Sequence, residues 1–153
     1  MLPALPAWAQ FKARDKDPFD LCVGLEKRLP ATIAAVKTVL EPTEHRVRSI
    51  AGYCPGRACE IHSFKGKGYA MELLVEADSG LASPLRVEVH EPQWRLLTPL
   101  RSGMNVSEAE QFFAFKTPAA SARISVEGVC SRIDIDYKQR LIRSMVLNCQ
   151  GCL

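Results

Sequence analysis

Residues 130–149 read CSRIDIDYKQRLIRSMVLNC, and the period of this stretch decides the fold class. Apolar and charged residues alternate on both sides of Gln139 and Arg140, which is the mark of a hairpin with one buried and one wet face. With Gln139-Arg140 at the tip, Ile133 stands opposite Val146, Tyr137 opposite Ile142 and Asp136 opposite Arg143. Apolar groups then pair on one face and opposite charges on the other. In that register Cys130 faces Cys149. Directly opposed strand residues hold their Cα atoms about 5.5 Å apart, the separation a disulfide needs. A Cys130–Cys149 crosslink is therefore expected, contributing about 3 kcal/mol by constraining the unfolded chain.

Working outward, a period of two recurs. Ala122–Glu127 reads as the strand before the hairpin, and Tyr69–Glu76 and Leu85–His90 read as two more around Asp78-Ser79-Gly80. From His45, Val47, Ile50 and Tyr53 alternate into the loop Cys54-Pro55-Gly56-Arg57-Ala58-Cys59, and Glu60 to Phe64 leaves it. Lys65-Gly66-Lys67-Gly68 is a turn. Helical signals lie elsewhere. Asp17 caps and Pro18 opens a helix expected over residues 18–29. A second is expected over residues 30–40, with Ile33, Val36, Val39 and Leu40 facing the core. Ser107 and Glu110 have capping-box spacing before Phe112, Phe113 and Phe115. The expected fold is α+β: an antiparallel sheet with the N-terminal helices and one internal helix packed on one face, stapled by disulfides. Residues 10–153 form a single domain, with a subdivision conceivable near residues 96–100.

Composition sets limits. The chain has 153 residues, a 47% hydrophobic content and a net charge of +3, with basic and acidic residues interspersed. This suits a globular protein and offers no basic stripe for nucleic acid. No stretch approaches the about 20 apolar residues of a membrane span.

Residues 1–9 resemble the remnant of a secretory signal peptide. Ala7-Trp8-Ala9 places small residues at the cleavage positions, and Gln10 is the expected first mature residue. Export puts six cysteines in an oxidising compartment, where they crosslink. Besides Cys130–Cys149, Cys54–Cys59 is expected as a local clasp, and Cys22–Cys152 by elimination. Asp20-Leu21-Cys22 lacks the small residues of a lipid-attachment site. The expected location is the periplasm.

Few constellations point to catalysis. Cys149-Gln150-Gly151-Cys152 has thiol-redox spacing, but no helix follows to stabilise a thiolate. Cys54, Cys59, Cys149 and Cys152 are too loosely spaced for a zinc site. His45, His62 and His90 form no HxH or HxxxH pair; Glu60/His62 and Glu88/His90 read as solvated ion pairs on a strand. No metal, cofactor or enzymatic activity is expected. The Cys54–Cys59 loop is the remaining feature. Its ring of Pro55, Gly56 and Arg57 is rigid and presents a cation, with Tyr53, His62 and Phe64 completing an aromatic, cationic patch. It serves either as a protein-binding anchor or as a stabilised surface turn.

Pro99-Leu100-Arg101-Ser102-Gly103-Met104, then Ser107-Glu108-Ala109-Glu110 and Phe112-Phe113 followed by three strands, resembles a known unit. It is the helix-plus-sheet module of the small outer-membrane lipoprotein A (SmpA/OmlA) family and of the β-lactamase inhibitor protein, and the resemblance covers residues 98–153. The Cys54–Cys59 loop is similar to the cysteine-closed loop of the periplasmic inhibitor of vertebrate lysozyme, with Pro-Gly-Arg-Ala where that family carries a histidine. Both resemblances imply envelope proteins that bind other proteins. The expected function is binding and inhibition of a protein partner such as a peptidoglycan hydrolase or toxin, as an immunity protein would do. A non-enzymatic envelope-assembly or scaffold component is the alternative.

Overall fold

The computed structural model describes residues 16–50, 54, 58–80, 82–117 and 122–150, together with the backbone of residues 8–12. The fold is α+β. Strand β1 (Trp8–Lys12) precedes helices α1 (Pro18–Arg28) and α2 (Ile33–Leu40). Four strands follow: β2 (Glu44–Ser49), β3 (Cys59–Gly66), β4 (Tyr69–Glu76) and β5 (Ala82–Val89). Helix α3 (Val106–Phe113) then leads to β6 (Arg123–Gly128), β7 (Ser131–Lys138) and β8 (Leu141–Asn148).

All eight strands join one sheet in the order β1-β6-β7-β8-β5-β4-β3-β2. Neighbours are antiparallel except β1, which runs parallel to β6. Two meanders, β2–β5 and β6–β8, thus meet where β5 pairs with β8. Trp8 and Ala9, expected in the signal remnant, lie in β1 opposite Arg123 and Ile124.

Local chemistry sets the helix ends. Asp17 accepts from the Phe19 amide at 2.7 Å, while Asp20 accepts from the Asp17 amide at 2.9 Å, giving the expected start of α1. Helix α2 begins later than expected. Thr32 caps it through the Ala35 amide, so Pro30 lies in the connection. Val36 and Leu40 are buried, but Val39 is 63% exposed rather than core-facing. Helix α3 is capped by Asn105, which accepts from Ser107, and not by Ser107. Glu110, freed from a capping box, binds Thr117 and Arg140 instead.

Side chains from all three helices enter one hydrophobic core with the inward strand residues, among them Leu25, Val36, Phe113, Met71, Val87 and Ile133. Leu97 and Leu100 are buried in the same core, which runs on through residues 96–100. The opposite side of the sheet carries polar residues such as Glu72 of β4, Arg86 of β5 and Asp134 of β7.

The last hairpin corrects the sequence reading. Tyr137 does face Ile142, but the register steps between Asp136 and Tyr137. Asp136 therefore opposes Ser144 rather than Arg143, and Ile133 opposes Leu147 rather than Val146. Arg143 is the extra residue of a β-bulge, which turns every later β8 side chain to the other face. Cys149 no longer meets Cys130. It bonds Cys22 of α1, with Cα atoms 5.9 Å apart across 127 positions of sequence. The expected Cys130–Cys149 and Cys22–Cys152 pairings are both overturned. Cys54–Cys59 forms as expected, and Cys130 is also disulfide-bonded. Cys152 lies outside the described residues.

Candidate functional site

The expected binding patch centred on the loop that joins β2 to β3. Cys54 closes that loop onto Cys59, the first residue of β3, whose side chain is buried. Tyr53, Pro55, Gly56 and Arg57 lie outside the described residues. His62 and Phe64 do not belong to a surface patch: they are 9% and 1% exposed and point into the core from β3. Their alternation with Ser63 places them on the same side as Met71 and Leu73, the residues opposite them on β4.

Strands β2 and β3 carry an imidazole pair that the sequence did not reveal. The β2–β3 register sets His45 opposite Phe64 and Val47 opposite His62, so His45 and His62 are diagonal neighbours on one face. A hydrogen bond of 2.9 Å joins His45 Nε2 to His62 Nδ1. His45 also stacks on Phe64, with ring centroids 4.4 Å apart. Glu60 Oε1 stands 3.7 Å from His62 Nε2, completing a carboxylate–imidazole–imidazole series. Desolvation, the facing His62 and the nearby Lys37 all hold the His45 pKa below its ordinary value. Neutral His45 is therefore the favoured form. Two histidines 17 residues apart carry no local signal of contact; only a correct strand register brings them together.

His90, the other expected ion-pair histidine, lies 4.0 Å from Glu88, a carboxylate that Arg86 engages more closely at 2.9 Å. No cluster of three or more His, Cys, Asp or Glu suited to a metal occurs among the described residues. No helix among them is long and apolar enough to cross a membrane.

On the polar side of β2–β5, an open cleft of about 480 Å³ is lined by Glu44, Arg46, Lys65, Glu72, Arg86 and Glu88. Charges of both signs alternate across it and pair along the strands, as in Arg46–Glu44 at 2.8 Å. Such a surface can make many directional polar contacts.

No family model matches the chain, and neither a curated protein nor a solved structure is significantly similar to it.

Proposed function

We propose that this chain is a non-enzymatic periplasmic protein that binds and inhibits another protein, the partner being a peptidoglycan hydrolase or a toxin to which it confers immunity. The observation that carries this reading is a covalently pinned sheet with one polar, charge-interleaved face. Cys22–Cys149 ties α1 to the end of β8, and Cys54–Cys59 closes the loop at the end of β2. A body pinned in this way loses little entropy on association. Disulfides of this kind persist in oxidising compartments, which supports export.

The experiment is affinity capture from periplasmic extract, followed by assay of the captured protein with and without added chain. Recovery of a hydrolase whose activity falls on addition supports the reading. Arg57→Ala weakens capture by about tenfold or more if Arg57 is an anchor. Capture of nothing, or of a partner whose activity is unchanged, overturns inhibition.

A scaffold role is the second reading, favoured by the order of α3, β6, β7 and β8, a helix followed by a three-stranded meander. It predicts co-purification with membrane complexes instead of one soluble hydrolase.

A further inference from the structure

Strand β2 ends the sheet, and its outer edge has no neighbouring strand among the described residues. In an antiparallel pair, alternate residues direct their backbone groups toward the partner. The Ile50 amide donates to the Cys59 carbonyl at 3.4 Å, so Arg48, Arg46 and Glu44 share its phase and face β3. His45, Val47 and Ser49 consequently direct their amides and carbonyls outward. Val47 is also 48% exposed on the core side of the strand. The polar side presents Arg46 and Arg48. Arg46 is bound to Glu44, while Arg48 has no ion-pair partner among the described residues.

From this geometry we infer that the β2 edge is a docking site for an extended segment of another protein, in which acidic residues alternate with apolar ones. Its backbone adds a ninth strand through His45, Val47 and Ser49. Its apolar side chains cover Val47, and its carboxylates meet Arg46 and Arg48 across the strand. Charge favours an acidic strand over a second copy of this chain. A second β2 strand carries only one carboxylate, Glu44, on the polar side against two arginines. Paired antiparallel about Arg46 it sets Glu44 against Arg48 but Arg46 against its own counterpart, and paired about Val47 it sets Arg46 against Arg48 twice. An acidic strand meets both arginines.

This inference rests on the protein-binding reading but adds a place and a partner chemistry to it. The test uses the whole chain with two fluorescein-labelled probe peptides, TEVEVET and TKVKVKT, read by fluorescence anisotropy at low salt. The acidic peptide is expected to bind and the basic one not to. Arg46→Glu combined with Arg48→Glu should weaken binding of the acidic peptide by about tenfold or more. Val47→Pro, which removes an outward amide, should do the same without changing the melting temperature. In the unsubstituted protein, amide exchange at His45, Val47 and Ser49 should slow on peptide addition, a readout independent of how the variants fold. Absence of binding, equal binding of both peptides, or unchanged exchange at those three amides overturns the inference. A natural partner captured equally by the doubly substituted chain also overturns the edge as its dock, while leaving the protein-binding reading intact. Failure to capture any partner counts against that reading alone.

Discussion

Ser102 donates its hydroxyl hydrogen to the carbonyl of Arg143 at 2.7 Å, and Arg143 is the residue that shifts the final hairpin out of its regular register. A bulge leaves a backbone group without its ladder partner. Here the segment before α3 supplies the replacement. Gly103 donates to Ile142 at 2.7 Å, Ile142 donates to Met104 at 2.9 Å, and Val106 donates to Arg140 at 2.7 Å. This strip of chain runs beside the start of β8 where β5 no longer reaches, and so stabilises the step that turns Cys149 toward Cys22.

Removing the Ser102 hydroxyl tests that link. Ser102 is buried, so Ser102→Ala strands the Arg143 carbonyl and should cost about 1–3 kcal/mol. Urea unfolding monitored by circular dichroism measures it. An unchanged midpoint would show that the bulge does not depend on Ser102.

The crosslink itself gives a second prediction. Cys22→Ala combined with Cys149→Ala opens a loop of 127 positions and should destabilise the chain by about 2–5 kcal/mol. Proteolysis without reductant followed by mass spectrometry should yield a peptide joining Cys22 to Cys149. A peptide joining Cys130 to Cys149 instead would restore the regular register.

The histidine pair predicts a pH dependence with a definite sign. Burial first, then His62 and Lys37, lower the folded-state pKa of His45 from 6.5. The folded state thus disfavours protonation. Its contribution is complete above the unfolded value and declines as pH falls below about 6.5 toward the lower folded value. Charged groups facing the pair are Lys37 of α2, which opposes protonation of His45, and Glu60 of β3, which stands 3.7 Å from the far nitrogen of His62. His45→Phe keeps a ring against Phe64 and removes the titration. Thermal melts between pH 7 and pH 5 should show a smaller loss in that variant than in the parent. Parallel losses in both would assign the effect to other groups.

Glu110 gives the complementary case. Burial alone would raise its pKa, but hydrogen bonds from the Thr117 amide, Arg140 and the Thr117 hydroxyl together hold it below its ordinary value. Its contribution is present above the unfolded pKa of 4.5 and is lost as pH falls through the depressed value. Glu110→Ala leaves the Thr117 amide unpaired and removes the carboxylate partner of Arg140, which keeps only its bond to the Thr117 hydroxyl, and should cost about 1–3 kcal/mol at neutral pH. Chemical denaturation at pH 7 and pH 4 should show a smaller difference between variant and parent at the lower pH.

The sequence by itself determined the elements whose signal is local. Tyr69, Met71, Leu73 and Val75 recur at every second position because one face of β4 is buried, and that period needs no knowledge of its neighbours. Asp17-Pro18 starts α1 because a carboxylate cap and a fixed proline φ act within one turn. Cys54 and Cys59 pair because five positions of chain keep them close. Asn105 displaced the expected Ser107 cap by two residues, since neighbouring side chains offered the same hydrogen bond, and Thr32 starts α2 at Ile33, three residues after the expected Pro30.

Tertiary structure alone decided the rest. The carbonyl of the bulged Arg143 is met by Ser102, 41 residues away, and Cys149 beyond that bulge bonds Cys22, 127 residues away. The contact between His45 and His62 depends on strand register, as does the burial of Phe64 that removes it from the expected surface patch. Register is a property of two strands held together by the whole core. A one-residue slip reverses every side chain while leaving the hydrophobic period of either strand unchanged, so no local pattern distinguishes the two.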